Sequence, residues 1–133
     1  MLLTAFALLS APLTAHAQSA EACGKTHAKV GQTATLANKS HGIGGTVTIL
    51  DDCRAEIRDF TYDGRGVGVK VYGALGGKWR RGFAMSKDLV RMKPYAGETV
   101  SLRLPAGKTW DDLDGVSVWC IDFAIDFGSG SFE

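Results

Sequence analysis

Polar and apolar positions along the chain alternate in short runs broken by glycine-rich turns. In "GTVTIL" (45–50), Val47 and Ile49 alternate with Thr46, Thr48 and Leu50. In "VGVKVY" (67–72), Val67, Val69 and Val71 share one face. In "ETVSLRL" (98–104), Val100, Leu102 and Leu104 oppose Thr99, Ser101 and Arg103. A period of two in β-branched company predicts strands, because successive side chains of an extended chain point to opposite faces. "RAEIRDFTY" (54–62) alternates as well, but its parity slips between Ile57 and Phe60, which predicts a bulge near Arg58 and Asp59. "DDC", "YDGRG", "ALGGK" and "PAGK" are turn signals between these runs. No helical period reaches three turns. "SKDLVRMK" (86–93) and "TWDDLDG" (109–115) each read as one helical turn at most, with Ser86 and Thr109 as caps. The expected fold is all-β: one domain, an antiparallel sandwich or barrel of roughly seven to nine strands.

The N-terminus departs from this pattern. Residues 2–9 are mostly Leu, Ala and Phe, the first charge is Glu21, and Ala15-His16-Ala17 has the small-x-small form of a signal-peptidase site. Residues 1–17 are expected to be a leader removed after Ala17, too short to span a bilayer. Residues 18–40 then read as an arm and first strand, and 41–133 as the β domain. Export implies an oxidising compartment, outside the cell or in a periplasm, where disulfides persist. Beyond the leader lie Cys23, Cys53 and Cys120, an odd number. Cys53 sits in a polar turn at a strand end and Cys23 in an otherwise untethered arm, so these two are expected to pair. Cys120 is left as a free thiol.

The formal charge is +1, from 15 Lys and Arg against 14 Asp and Glu. That balance gives no electrostatic reason to expect nucleic acid or a membrane surface as partner. "KWRR" (78–81) reads as a solvated turn. Asp111, Asp112 and Asp114 lack the spacing of a calcium loop and fit capping near Thr109. His27, His41 and one thiol have no zinc-ligand spacing. No Ser–His–Asp or phosphate-loop signature occurs. Trp79 and Trp110 fall near turns, where they either cap the core or offer faces to a sugar or a protein.

"SVWCIDFAIDFG" (117–128) holds the remaining chemistry. Read as one strand, it places Trp119, Ile121, Phe123, Ile125 and Phe127 on the main core face, and Val118, Cys120, Asp122 and Asp126 on the other. Cys120 is then semi-buried, with Asp122 about 6.5 Å along the strand. A neighbouring carboxylate disfavours a thiolate, and Arg58, Lys70, Arg80 or Arg103 would be needed to offset it. On residues alone Cys120 is either small apolar packing or a reactive group. The absence of C-x-x-C-H excludes covalent haem attachment. Non-covalent haem would need a His or thiolate ligand and an apolar slot.

"HGIGGTVTIL", "IRDFTYDGRG", "MSKDLVRMKPYAGETVSLRLP" and "VSVWCIDFAIDFG" occur in that order. Together they resemble the DM-thirteen domain family, extracellular domains often found beside DOMON domains. The resemblance runs from His41 to Gly128 and is most specific at Phe60, Tyr62, Asp63, Gly64, Gly66, Leu104, Pro105, Trp119 and Cys120. Val67 stands where the family often has proline. The resemblance implies an electron-transfer role with Cys120 as redox thiol or ligand, and a redox or cell-surface protein as partner. The rival expectation is a non-catalytic extracellular module that binds carbohydrate or protein.

Overall fold

The computed structural model describes residues 22–133, so the expected leader and its cleavage site lie outside the described residues. Nine strands form within them: β1 (Thr33–Thr35), β2 (Ala37–Asn38), β3 (Gly44–Ile49), β4 (Arg54–Tyr62), β5 (Val69–Ala74), β6 (Phe83–Ala84), β7 (Tyr95–Arg103), β8 (Gly115–Cys120) and β9 (Ile125–Ser131). They make two sheets, ordered β1-β3-β4-β7 and β2-β9-β8-β5-β6. Every pairing is antiparallel. The fold is the expected all-β class, in its sandwich form.

The core follows the alternation. Val47 and Ile49 of β3, Ala55, Ile57, Phe60 and Tyr62 of β4, Val69 and Val71 of β5, and Leu102 of β7 are all buried. The parity slip in β4 is a bulge, as expected. The β4–β7 register shifts between Ile57 and Phe60, and Asp59 takes φ 54°, which returns Phe60 to the core face. Leu36, buried between β1 and β2, marks where the chain passes from one sheet to the other.

Two local expectations fare differently. Trp110–Asp112 is a single 3-10 turn capped by Thr109: the hydroxyl accepts from Asp111 N, and the Asp112 carboxylate accepts from Thr109 N at 2.8 Å. That accounts for Asp112; the Asp111 carboxylate lies 3.2 Å from His27 Nε2 and that of Asp114 accepts from Gly76 N. Residues 86–93 form no helical turn. The Ser86 hydroxyl instead accepts from Val71 N at 2.8 Å, and Leu89 N donates to the Val69 carbonyl at 2.7 Å, so this segment lies against β5.

The largest correction concerns residues 117–128. The strand stops at Cys120, and the chain reverses through 121–124, where Ala124 takes φ 51°. Cys120 therefore pairs with Ile125 on the returning strand. Val116, Val118 and Cys120 face the core, whereas Trp119 lies on the opposite face of the sheet, buried but outside the core cluster. Phe123 and Ile125, expected in the core, are exposed; Phe127 is buried. The expected parity failed because two strands and a turn were read as one strand.

Candidate redox site at Cys120

Cys120 lies at the end of the sandwich where β4 and β8 finish and β5 begins. Residues 63–68 link β4 to β5 and close over it. This loop depends on Gly64, whose φ is +81° and where a Cβ would meet the Arg91 carbonyl oxygen at 2.4 Å. Arg91 N donates to the Gly64 carbonyl at 3.0 Å, and the Tyr62 hydroxyl donates to the Arg65 carbonyl. On the other side Ile121 N donates to the Gly68 carbonyl at 2.9 Å. The Cys120 thiol points at the Val67 carbonyl, 3.5 Å away, and the residue is 1% exposed. The sequence placed it semi-buried; the outward turn at 121–124 removes that exposure.

Aromatic rings connect this region to the surface. Tyr62 stacks on Tyr95 with centroids 5.8 Å apart, and Phe60 meets Tyr95 edge-on at 5.0 Å. Phe127 lies 6.3 Å from Tyr62 and 4.0 Å from the ring of His41. Arg91 covers the outer face of Tyr95 at 3.5 Å. His41 is held by the Asp63 carboxylate, 2.9 Å from Nδ1. Burial pushes the Tyr62 hydroxyl far above the usual phenol range, and the nearby carboxylates of Asp63 and Asp88 add to it. Burial raises Tyr95 too, against the opposing pull of Arg91. Both phenols are therefore protonated at neutral pH.

The residues expected to tune the thiol do not gather around it. Asp122 sits in the exposed turn beside Gly68. Lys70 pairs with Trp119 across the strands and shares its outward face. Arg58 bonds Glu56 at 2.6 Å, Arg80 lies in a groove beside Trp119, and Arg103 lines a groove with Leu50 and Ser86. Reading the sequence missed Tyr95, Arg91 and the place of His41. Their only signal was an aromatic residue opening the β7 run and a histidine before β3.

A haem does not fit these residues. Cys120 is enclosed in the core and its thiol is directed at a backbone carbonyl. His41 is engaged by Asp63. His27, expected in a loose arm, is instead pinned: its N–H donates to Asp52 at 2.8 Å, its Nδ1 accepts from Lys29 N, and its Nε2 is 3.2 Å from Asp111. Cys23 and Cys53 are joined in the expected disulfide, with Cα atoms 5.8 Å apart. That bond removes their thiolates from the cluster they form with Asp51. Among the described residues Cys120 is the free cysteine. Trp110 is fully buried, its indole N–H donating to the Asp51 carbonyl at 2.8 Å, so Trp79 and Trp110 make no shared platform.

Residues 35–132 match the family described as Electron transfer DM13. Protein Skeletor of Drosophila melanogaster, isoforms B/C, is 33% identical over 102 residues, covering 72% of this chain and 13% of that protein. A cytochrome b561, DM13 and DOMON domain-containing protein of Arabidopsis thaliana is 28% identical over 112 residues, covering 81% of this chain and 12% of that protein. The chain thus spans about an eighth of the length of these two relatives. No solved structure matches it. The match covers both sheets and every residue around Cys120: this chain belongs to the DM13 family.

Proposed function

We propose that this domain passes single electrons to or from a haem-bearing redox partner, with Cys120 as its redox centre. The observation that carries this reading is a free thiol enclosed in the core beside Tyr62, whose ring belongs to an aromatic cluster that reaches the surface at Tyr95–Arg91 and at His41. Thiol–disulfide exchange needs direct attack of a thiolate on a partner sulfur, and a buried Cys120 does not permit it. Electron transfer requires no such contact. In the oxidising direction the Cys120 S–H bond breaks: one electron reduces a ferric haem of the partner to ferrous, the proton goes to solvent, and a thiyl radical remains on the sulfur. Around the site, exposed Val67, Val90, Met92 and Phe123 supply an apolar rim for a partner to rest on. The plant relative's name joins DM13 with a cytochrome b561, which favours a haem partner.

Stopped-flow mixing with a reduced or oxidised b-type cytochrome tests the reading. Wild-type protein should change the haem absorbance at equimolar concentration, and Cys120→Ser should not. An equal response from the two proteins would sink the assignment. We also propose that the chain is exported and loses residues 1–17. Its disulfide supports this, and intact mass should show a secreted product beginning at Gln18.

A further inference from the structure

The outward face of the second sheet carries a groove that the Cys120 site does not use. Gly115, Ser117 and Trp119 of β8 lie on this face, opposite the core residues Val116, Val118 and Cys120. Residues 75–82 fold back over it. Gly76 N donates to the Asp114 carboxylate at 3.0 Å, and Trp79–Arg81 form a 3-10 turn. The Trp79 ring reaches Gly115. Its Cη2 lies 3.5 Å from where a Cβ would stand, and that Cβ would also meet the Gly130 carbonyl at 2.7 Å. Glycine at 115 is required by the close Gly130 carbonyl, while the indole stands at ordinary contact distance above it.

Trp79 divides this surface in two. On one side a groove of about 460 Å³ runs between Trp79 and Trp119, bordered by Lys78, Arg80 and Arg81. Among the described residues no carboxylate lies within ion-pair distance of these three cations. On the other side a groove of about 450 Å³ is lined by Asp114, Ser129, Ser131 and Lys39. One flank is therefore aromatic and cationic, and the other offers hydroxyls and a carboxylate.

We propose that this face binds an acidic oligosaccharide carrying carboxylate groups. The apolar face of one sugar ring lies on Trp79, and Arg80 and Arg81 hold its carboxylate through charge-assisted hydrogen bonds. Across the Trp79 ridge, Asp114 and Ser131 take the hydroxyls of the next sugar. The unpaired cations repel one another in the free protein, and a bound anion relieves that repulsion. Single-stranded nucleic acid also stacks on tryptophan and binds arginine. Here the Asp114 carboxylate on the other flank disfavours a phosphodiester chain, whereas it can accept hydrogen bonds from sugar hydroxyls.

Calorimetric titration with a galacturonate trisaccharide tests this, with neutral galactotriose and a short oligothymidylate as comparisons. The uronate should bind, with affinity falling as salt rises. Galactotriose should bind about tenfold more weakly or worse, and the double variant R80S/R81S should lose about tenfold for the uronate. Trp79→Ala should weaken both sugars. Cys120→Ser should bind the uronate like wild type, which separates this site from the redox reading. The proposal is overturned by no uronate binding at millimolar concentration, by equal binding of galactotriose, by tighter binding of oligothymidylate, or by an R80S/R81S protein that binds like wild type. Should Trp79→Ala fail to fold, the exposed arginine variant decides.

Discussion

Strand β4 opens beside the Cys23–Cys53 disulfide and finishes, about 27 Å away, at Tyr62 over the free thiol of Cys120. The two ends are built differently. At the disulfide end Asp51 is fully buried, and its carboxylate accepts from Cys23 N, Cys53 N, Arg54 N and Arg54 Nε at 2.8–3.2 Å. Its backbone carbonyl accepts from Trp110. Asp52 gathers Thr26 N and His27 N, each at 2.8 Å. Buried polar groups there are satisfied, and the bonds to Cys23, Thr26, His27 and Trp110 fix segments distant in sequence. At the Cys120 end, ring packing, backbone bonds and part-buried or exposed side-chain bonds such as Tyr62 to the Arg65 carbonyl and His41 to Asp63 hold the loops, and apolar side chains stay in water. A polar network is costly to breach because each lost partner leaves a desolvated group unpaired. Loops held by packing with exposed apolar side chains open more easily and present a surface to a partner. The staple and the proposed redox site are thus segregated to ends with opposite mechanical demands.

The largest effect should come from Asp51→Ala, which leaves Arg54 and buried backbone N–H groups unpaired. A loss of about 3–5 kcal/mol in urea unfolding is expected, and a loss near zero would break the contrast between the ends. Replacing Cys23 and Cys53 by serine releases a loop of 30 residues and should cost about 3.5 kcal/mol by the chain-entropy estimate. Cys120→Ser should cost less, about 1–3 kcal/mol, since its hydroxyl can donate to the Val67 carbonyl. A Cys120→Ser loss matching that of Asp51→Ala would make the thiol a structural element.

The gentlest probe is acid. Burial raises the Asp51 carboxyl, but the Arg54 side chain and the N–H groups of Cys53 and Arg54 outweigh it and hold it below its ordinary 3.8. Asp126 is likewise raised by burial and brought lower by Lys39, Ser117 and Ser129. A carboxyl depressed in the folded state contributes its stability in full above the unfolded value and loses it as pH falls through the folded one. Stability should be flat above about pH 5 and fall below about pH 4. Hydrogen exchange at neutral pH should show residues 63–68 opening before 23–33, and acid should erode that lead by loosening 23–33. The reverse order at neutral pH would invert the comparison.

Much of the fold was legible because it rests on local alternation. The bulge at Asp59, the cap at Thr109 and the buried faces of β3, β4 and β7 each follow from a few neighbouring residues. The disulfide was legible because only one of the three cysteines sits in an apolar strand. The site was less so. Whether "SVWCIDFAIDFG" is one strand or a hairpin depends on Ala124 adopting a left-handed turn, a conformation that alanine rarely takes and no composition signals. That single choice decides which of Trp119 and Cys120 faces the core.

By itself, then, the sequence determined the all-β class, the strands β3, β4, β5 and β7, the paired cysteines and the family. Period, turn chemistry and short motifs are properties of neighbouring residues. Only the tertiary structure decided that Cys120 is enclosed by Tyr62 and the 63–68 loop, that Tyr95 and Arg91 extend its ring cluster outward, and that Trp79 and Trp119 border one cationic groove. These contacts join residues from different strands and loops. Their geometry is set by register and sheet packing, which local alternation leaves undefined.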